Sequence, residues 1–282
     1  MKMCYLIGYP LEHSLSPLMH NTAFRLLGLE YRYEARPIRP GELEEFVGRE
    51  LRSPDTAGAN VTMPYKEAVM ELLDRLDVEA SEIGAVNTVV NRDGCLVGYN
   101  TDGRAALRAL RESGVPLSGA RVVVLGAGGA ARAVVYHLCR EASEITVLNR
   151  TPRRAVRLAE DASGWGGCPV RWARLTPETL SRHLADADLL VNATPVGMYP
   201  NVSETPVPRE LLREDMAVFD VVYNPPRTRL LRDAEEAGAK TVSGVLMFVY
   251  QGAEAFRLWT GVEPPVEAMM EAVLGALGCG GT

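Results

Sequence analysis

The chain has 282 residues, of which 47% are hydrophobic and 23% are charged, and its formal net charge at pH 7 is −6. This length suits one large or two ordinary domains, and the composition is typical of a soluble globular protein. The negative net charge argues against a general nucleic-acid binder, whose surface would be basic.

Localisation and metal content can also be predicted from composition. No apolar run reaches the roughly 18 residues of a membrane span, and the N-terminus lacks the apolar core and cleavage site of a signal peptide. The five cysteines are widely spaced and form no CxxC pair. This spacing indicates reduced thiols, without a disulfide framework or a zinc site. We therefore expect a cytoplasmic protein with no metal and no membrane or nucleic-acid partner.

Short strands and helices alternate over the first hundred residues. Ser16 and Pro17 are typical of a helix start, with Ser16 as the N-cap, and Asn91-Arg-Asp-Gly94 is typical of a hairpin turn. Strands are predicted over 2–8, 30–35, 58–62, 84–90 and 95–99, and helices over 17–27, 40–48, 65–76 and from Asp102 to about residue 113.

Lys66 is unusual because the chain has only three lysines against 27 arginines. An arginine stays charged in any protein site, whereas a partly buried lysine can lower its pKa and exchange a proton. We interpret Lys66 as an acid/base group, and a solvated helix residue is the alternative. Asp102 also has two interpretations. It is either a functional acid or an acid that only stabilises a helix start, where a negative charge is favourable by electrostatics alone.

Polar side chains gather at the predicted strand ends. Asn60, Thr62, Asn87 and Asp102 all lie at or beside such ends, where polar groups form a site more often than a core.

Ser14 and Ser16 precede the first helix. Their hydroxyls either serve turn and cap chemistry or form a small anion site with the helix N-terminus.

The middle of the chain contains a dinucleotide-binding pattern. A strand over 118–125 runs into Gly126-Ala127-Gly128-Gly129-Ala130-Ala131, and a helix over 132–140 and a strand over 144–149 follow. In this setting Gly126 makes the tight turn, Gly128 admits the pyrophosphate to the backbone, and Ala131 allows close helix packing.

The end of the second strand predicts the cofactor. An NAD site usually has Asp or Glu there, but this chain has Asn149-Arg150-Thr151 with Arg153 and Arg154 close behind. A guanidinium can bind a 2′-phosphate through two hydrogen bonds. We therefore predict NADP, with at least one of Arg153 and Arg154 on a solvated helix face.

The alternation continues to the C-terminus and predicts a parallel sheet wrapped by helices. Strands are expected over 170–172, 188–192, 217–222 and 240–242, and helices over 151–162, 177–184, 228–237, 244–261 and 266–277. Gln251 interrupts an apolar helix and needs a partner, either a substrate hydroxyl or a backbone carbonyl. The last two helices should return to the first domain, which gives domains of 1–103 completed by 245–282, and of 104–244.

Motifs over nearly the whole chain resemble those of the shikimate dehydrogenases. They are Gly8 to Asn21, Asn60-Val-Thr-Met-Pro-Tyr-Lys66, Gly84-Ala-Val-Asn87-Thr88, Asn100-Thr101-Asp102-Gly103, Gly126 to Ala130, Asn149-Arg150-Thr151, Asn192-Ala-Thr194, Tyr223-Asn-Pro225 and Gly244 to Gln251. Phe248 stands where a smaller aliphatic residue is expected.

The resemblance implies an NADP-dependent oxidoreductase that reversibly reduces 3-dehydroshikimate to shikimate in chorismate and aromatic amino-acid biosynthesis. The implied fold is an N-terminal α/β substrate domain and a Rossmann-like parallel-sheet NADP domain, with the active site in the cleft between them. Lys66 and Asp102 would form the catalytic pair, and Ser14 and Ser16 would hold the substrate carboxylate. The ring hydroxyls would be surrounded by Asn60, Thr62, Asn87, Asp102, Tyr223 and Gln251. The cofactor would be bound by Gly126, Ala127, Gly128, Gly129, Ala130, Asn149, Arg150, Thr151, Arg154 and Thr194, with Val221 and Gly244 beside the nicotinamide.

Two other functions stay open at this stage: a quinate/shikimate dehydrogenase that accepts NAD, and a non-catalytic NADP-binding sensor on the same scaffold. The second could lose Lys66 or Asp102, but this chain has both. The oligomeric state is also open, with a homodimer as one candidate.

Overall fold

The computed structural model describes residues 1–12 and 14–278. It divides into two compact units, Met1–Thr101 with Val249–Thr282, and Asp102–Phe248. No helix in the described part of the chain has both the length and the apolarity needed to cross a membrane.

Strands and helices alternate along the chain. The strands are β1 (Lys2–Gly8), β2 (Tyr31–Pro37), β3 (Thr56–Val61), β4 (Arg75–Leu76), β5 (Thr88–Arg92), β6 (Cys95–Tyr99), β7 (Arg121–Leu125), β8 (Glu144–Asn149), β9 (Val170–Arg174), β10 (Leu189–Asn192), β11 (Ala217–Asp220) and β12 (Lys240–Ser243). The helices are α1 (Ser16–Leu26), α2 (Leu43–Phe46), α3 (Val78–Ile83), α4 (Asp102–Glu112), α5 (Gly129–Leu138), α6 (Pro152–Ala162), α7 (Pro177–Leu184), α8 (Arg229–Glu236), α9 (Gly244–Thr260) and α10 (Val266–Ala276).

The first unit contains a mixed six-stranded sheet in the order β2-β1-β3-β5-β6-β4. β1 is parallel to β2 and β3, whereas β3 pairs with β5, and β5 with β6, in antiparallel register. Asp93 and Gly94 link β5 to β6 with φ angles of 53° and 89°, the positive values that a two-residue hairpin turn requires. The predicted hairpin is thus confirmed.

Helix α9 is anchored on this sheet by Trp259. Its indole Nε1 donates to the Val89 carbonyl at 2.9 Å. Gly58 makes the contact possible, since a Cβ there would lie 2.0 Å from the Val89 oxygen and 2.5 Å from the indole nitrogen. Any larger residue would push the helix off the sheet.

The second unit is a doubly wound α/β domain. Its six strands are all parallel, in the order β12-β11-β10-β7-β8-β9. The strand order reverses between β7 and β10, and ligands of such sheets bind outside the carboxyl ends of the strands at this point. The predicted Rossmann-like parallel sheet is confirmed.

The carboxyl ends of these strands are aligned in one row. Leu148, Leu125, Asn192, Asp220 and Ser243 are register partners across β8, β7, β10, β11 and β12. The loops that follow the strands therefore all leave the sheet at the same level.

Asp220 is fully buried in this row. Its carboxylate accepts hydrogen bonds from Thr228 Oγ1 at 2.7 Å, Asn192 Nδ2 at 2.9 Å and the Val222 backbone N–H at 3.1 Å. Burial nevertheless raises the pKa of Asp220 to about 6, because these hydrogen bonds compensate only in part for the lost hydration of the charged carboxylate.

Two local predictions are wrong. The apolar pattern predicts a helix over 65–76, but only Ala68–Leu72 forms a short 3₁₀ turn, and β4 follows directly. Asp74 explains the change, since its N–H donates to the Leu96 carbonyl and its carboxylate accepts from the Leu96 N–H. Because of these two hydrogen bonds, the segment pairs with β6 as a strand and does not continue as a helix.

Ser16 is also not the N-cap of α1. That position is occupied by Leu15, which makes no side-chain cap, and Ser16 is the first helical residue. Helix α3 is absent from the sequence prediction, although Asp77 caps it through the Glu79 N–H at 3.2 Å.

The raised pKa of Asp220 predicts a defined pH dependence of stability. Between about pH 3.8 and 6 the unfolded chain loses this proton first, so the free energy of unfolding should decrease as pH rises through that window. Asp220→Asn removes the titration. Urea denaturation should therefore show that the free energy of unfolding of the wild type, minus that of the variant, decreases by about 2–3 kcal/mol from pH 4 to pH 7.

Asp186→Asn is the matched control, because this carboxylate of the same unit is 62% exposed. If the wild type and Asp220→Asn lose stability in parallel over the window, Asp220 does not carry the effect.

Candidate active site

The loop after β7 is built to admit a ligand to the backbone. Gly126 has a φ of +104°, and a Cβ there would lie 2.9 Å from the Ala193 carbonyl oxygen, so both its conformation and its space require glycine. At Gly128, in contrast, a Cβ would meet nothing within 4 Å. This open side adjoins the first turn of α5, whose N–H groups can bind phosphate.

Exposed arginines follow β8. Arg150, Arg153 and Arg154 are all exposed, and within residues 1–12 and 14–278 none of them pairs with a carboxylate. Asn149 is half-buried, and its Nδ2 donates to the Thr151 carbonyl at 2.9 Å. No acid therefore stands where it would repel a 2′-phosphate, and unpaired guanidinium groups are available for one. These residues fit NADP.

The loop after β10 is held by Asn192. Its Oδ1 accepts from the Thr194 N–H at 3.1 Å and from the Thr194 hydroxyl at 2.6 Å, while its Nδ2 donates to Asp220. Asn192 is fully buried, and through these hydrogen bonds it links the Asp220 carboxylate inside the sheet to the half-buried Thr194 at the loop surface.

The loop after β11 lies against the start of α9. A Cβ at Gly244 would be 2.4 Å from the Val221 carbonyl oxygen, so only glycine permits this approach. The ring of Tyr223 stacks on that of Phe248, with centroids 4.0 Å apart. Phe248, the mild departure from the family pattern, therefore supports the tyrosine through an aromatic contact.

In the first unit, a buried hydrogen-bond network joins three strand ends to α9. Asn60, Asn87 and Thr101 are all 5% exposed or less. Asn87 Nδ2 donates to Thr101 Oγ1 at 2.9 Å and to Gln251 Oε1 at 3.4 Å, and Thr101 Oγ1 donates to the Gln251 carbonyl at 3.1 Å. Asn60 Nδ2 donates to the Asn87 carbonyl at 3.3 Å, so Asn60, Asn87 and Gln251, which are distant in sequence, belong to one cluster.

Ser14 and Ser16 lie together at the start of α1. Their hydroxyl oxygens are 3.3 Å apart, and the Ser16 N–H donates to Ser14 Oγ at 3.3 Å. The geometry is compatible with a small anion site, and that role stays a prediction.

Lys66 is half-buried in the loop that follows β3. Its backbone carbonyl accepts from the Val86 N–H at 2.7 Å, which places the segment beside the chain that leads into β5. Thr62 closes a turn by accepting from the Tyr65 N–H at 3.0 Å. The alternative interpretation of Lys66, a solvated helix residue, is wrong about the helix, because no helix forms at this position.

Asp102 is 5% exposed and begins α4 in the other unit. The acid/base pairing of Lys66 with Asp102 stays a prediction. Within the described ranges, no group of three or more His, Cys, Asp or Glu side chains could hold a metal ion.

Sequence reasoning assigns no role to several residues that organise the site. Thr88, Thr101 and Asn192 are buried and hydrogen-bonded to predicted site residues, and buried Asp220 accepts a hydrogen bond from Asn192. The sequence carries one signal of them, because each is a polar residue at the end of an apolar strand run.

Three protein-family models match the chain. The shikimate dehydrogenase substrate binding domain matches residues 6–89, the shikimate / quinate 5-dehydrogenase model matches 108–222, and the shikimate 5'-dehydrogenase C-terminal domain matches 244–274.

Similar proteins cover almost the full chain. The shikimate dehydrogenase (NADP(+)) of Methanopyrus kandleri is 57% identical over 95% of this chain and 93% of its own. A crystal structure of shikimate 5-dehydrogenase from Thermus thermophilus, in complex with NADP(H) and shikimate, is 44% identical with a TM-score of 0.87, over 98% of this chain and 100% of that one. A structure of quinate dehydrogenase from Corynebacterium glutamicum, in complex with NAD, is 34% identical with a TM-score of 0.88, over 97% and 99% of the two chains.

The predicted family is confirmed by these matches, which extend from the first strand to the last helix. The chain belongs to the shikimate dehydrogenase family of oxidoreductases.

Proposed function

We propose that this chain catalyses the reversible, NADP-linked reduction of 3-dehydroshikimate to shikimate, as a step of chorismate and aromatic amino-acid biosynthesis in the cytoplasm. The observation that carries the proposal is the buried amide and hydroxyl network around Asn87, which lies in the segment matched by the substrate binding domain model. A polyhydroxylated ring needs such partners, because each buried hydroxyl must be hydrogen-bonded.

The domain assignment is supported by the division of the chain into two units. We assign substrate binding to the unit Met1–Thr101 with Val249–Thr282, and cofactor binding to Asp102–Phe248, close to the limits expected from sequence. The glycine turn at Gly126 and the exposed Arg150 both belong to the second unit.

Lys66 and Asp102 are proposed as the acid/base pair. The chemistry that NADP supplies when bound is hydride transfer at its nicotinamide ring. For reduction, the Lys66 ammonium donates a proton to the carbonyl oxygen of the substrate, and for oxidation its neutral amine accepts the proton from the hydroxyl. Asp102 assists this proton exchange through its carboxylate. Such general acid/base catalysis contributes about 10²–10⁴-fold.

The other side chains bind and orient the substrate in this proposal. Ser14 and Ser16 hold its carboxylate through their hydroxyl groups and the first turn of α1. The hydroxyls of the ring face Thr62, Asn87, Tyr223 and Gln251.

Quinate is the second candidate substrate, with NAD as the corresponding cofactor. It is supported by the similarity to a quinate dehydrogenase in complex with NAD. The exposed arginines after β8 favour NADP over NAD.

Lys66→Arg tests the proton-transfer role, because arginine keeps the charge but does not release a proton. We expect kcat for shikimate oxidation to fall at least about 100-fold, while the Kd for NADPH changes less than about twofold. Lys240→Arg is the matched control, a surface lysine that hydrogen-bonds backbone carbonyls. Near-normal turnover of Lys66→Arg would rule out Lys66 as the proton donor.

Arg150→Asp tests the cofactor assignment. A carboxylate at this position would repel a 2′-phosphate, so kcat/KM for NADP should fall about tenfold or more, and that for NAD much less. Arg182→Asp, an exposed arginine on α7, should leave both values unchanged. Equal losses with the two cofactors would show that Arg150 does not contact the 2′-phosphate.

A further inference from the structure

Five side chains of the first unit form a hydrogen-bond chain that runs in one direction. Tyr33 Oη donates to Asn60 Oδ1 at 2.8 Å, and Asn60 Nδ2 donates to Thr88 Oγ1 at 3.0 Å. Thr88 Oγ1 then donates to Asn87 Oδ1 at 3.1 Å, and Asn87 Nδ2 to Thr101 Oγ1 at 2.9 Å. The chain ends where Thr101 Oγ1 donates to the Gln251 carbonyl at 3.1 Å.

Backbone groups fix this direction, because they cannot exchange donor and acceptor roles. The Thr101 N–H donates to Asn87 Oδ1 at 2.8 Å, and Asn60 Nδ2 donates to the Asn87 carbonyl at 3.3 Å. Each amide therefore has one permitted orientation. The Thr88 hydroxyl, which lies between them, accepts from Asn60 Nδ2 and donates to Asn87 Oδ1.

Thr88 is the link between the two amides. It is fully buried, so its hydroxyl is out of reach of a substrate. Asn60 is 5% exposed, and its two amide hydrogens are both used, on Thr88 and on the Asn87 carbonyl. Asn60 therefore holds Thr88 in place through its own hydrogen bonds, and its direct contact with the substrate stays a prediction.

The start of the chain of bonds is held by aromatic packing. The His20 ring stacks on Tyr33 with centroids 4.4 Å apart, and Trp259 packs beside both rings. His20 is fully buried and neither ring nitrogen makes a hydrogen bond of normal geometry, although the Asn60 side chain lies beside it. Burial lowers the pKa of His20 to about 3. The ring is therefore neutral over the physiological pH range and supports Tyr33 by stacking on it.

We propose that Thr88, together with Asn60, is a positioning residue that holds the Asn87 amide in a single orientation for the substrate. In this orientation the Asn87 oxygen is turned toward the Thr101 N–H, and its NH₂ group toward Gln251. A ring hydroxyl bound at Asn87 consequently meets an amide whose donor and acceptor ends cannot exchange. The inference rests on the proposed function, since it concerns how Asn87 recognises that substrate.

Thr88→Val is the direct test, because it keeps the side-chain shape and removes the hydroxyl. We expect kcat/KM for shikimate to fall about fivefold to tenfold, the usual effect of one net hydrogen bond. The loss should lie mainly in KM for shikimate, with KM for NADP unchanged. Thr88→Ser, which retains the hydroxyl, should restore most of the activity.

Thr56→Val is the matched control. Thr56 is a buried threonine of the neighbouring strand β3, and its hydroxyl donates to the Glu50 carbonyl at 2.8 Å, outside the chain of bonds. It should lower thermal stability to a similar extent and leave KM for shikimate unchanged. If Thr56→Val raises that KM as much as Thr88→Val does, general destabilisation accounts for the effect and the proposal fails.

A double-mutant cycle with Asn87→Ala separates positioning from a direct effect. If Thr88 acts through Asn87, Thr88→Val should cost nothing further in the Asn87→Ala background. Additive losses would contradict the proposal while leaving the proposed function intact. Failure of the wild-type protein to oxidise shikimate would instead contradict the proposed function.

Discussion

A polar side chain that is buried without a hydrogen bond costs free energy, and both units satisfy this constraint at the ends of their strands. In the first unit, Asn60, Asn87 and Thr101 are linked to one another by hydrogen bonds. In the second unit, Asp220 is satisfied by Asn192 and Thr228. Once these groups are fixed, the loops that follow the strands have little freedom, and the side chains at their surface are held in place.

The same constraint explains why buried polar side chains at one end of each sheet have defined orientations. Inner strand positions are mostly apolar and make non-directional contacts, whereas a hydrogen-bonded amide at a strand end has one orientation. In the parallel sheet, the reversal of strand order brings Gly126 beside Ala193, and the missing Cβ at Gly126 lets the two loops meet. A binding surface made of backbone N–H groups and oriented amides follows from this topology.

Much of this arrangement can be predicted from sequence because local patterns and the fold agree. The strands β1 and β6, the hairpin at Asp93–Gly94 and the helix α7 all form where their residues predict. The glycine turn is recognisable from its setting between a strand and a helix. Asn149 and Arg150 indicate the cofactor from charge alone.

The errors arise where a distant partner decides local structure. Residues 65–76 have apolar positions suited to a helix, but the bonds between Asp74 and Leu96 draw the segment to a strand further along the chain. The hydrogen bonds of Thr88 and Thr101 cannot be derived from sequence either. Their partners, Asn60 and Gln251, become neighbours only after the sheet forms and α9 packs on it.

We propose that the oriented amides of one unit and the phosphate-binding turn of the other serve a single reaction. The most direct measurement is the initial rate of the wild-type protein with shikimate or quinate, each with NADP or NAD, followed by the absorbance of the reduced cofactor. Shikimate with NADP should give the highest kcat/KM. Replacing shikimate by quinate, or NADP by NAD, should each lower kcat/KM at least about tenfold. A preference for quinate or NAD, or no turnover with any of the four pairs, would contradict this proposal.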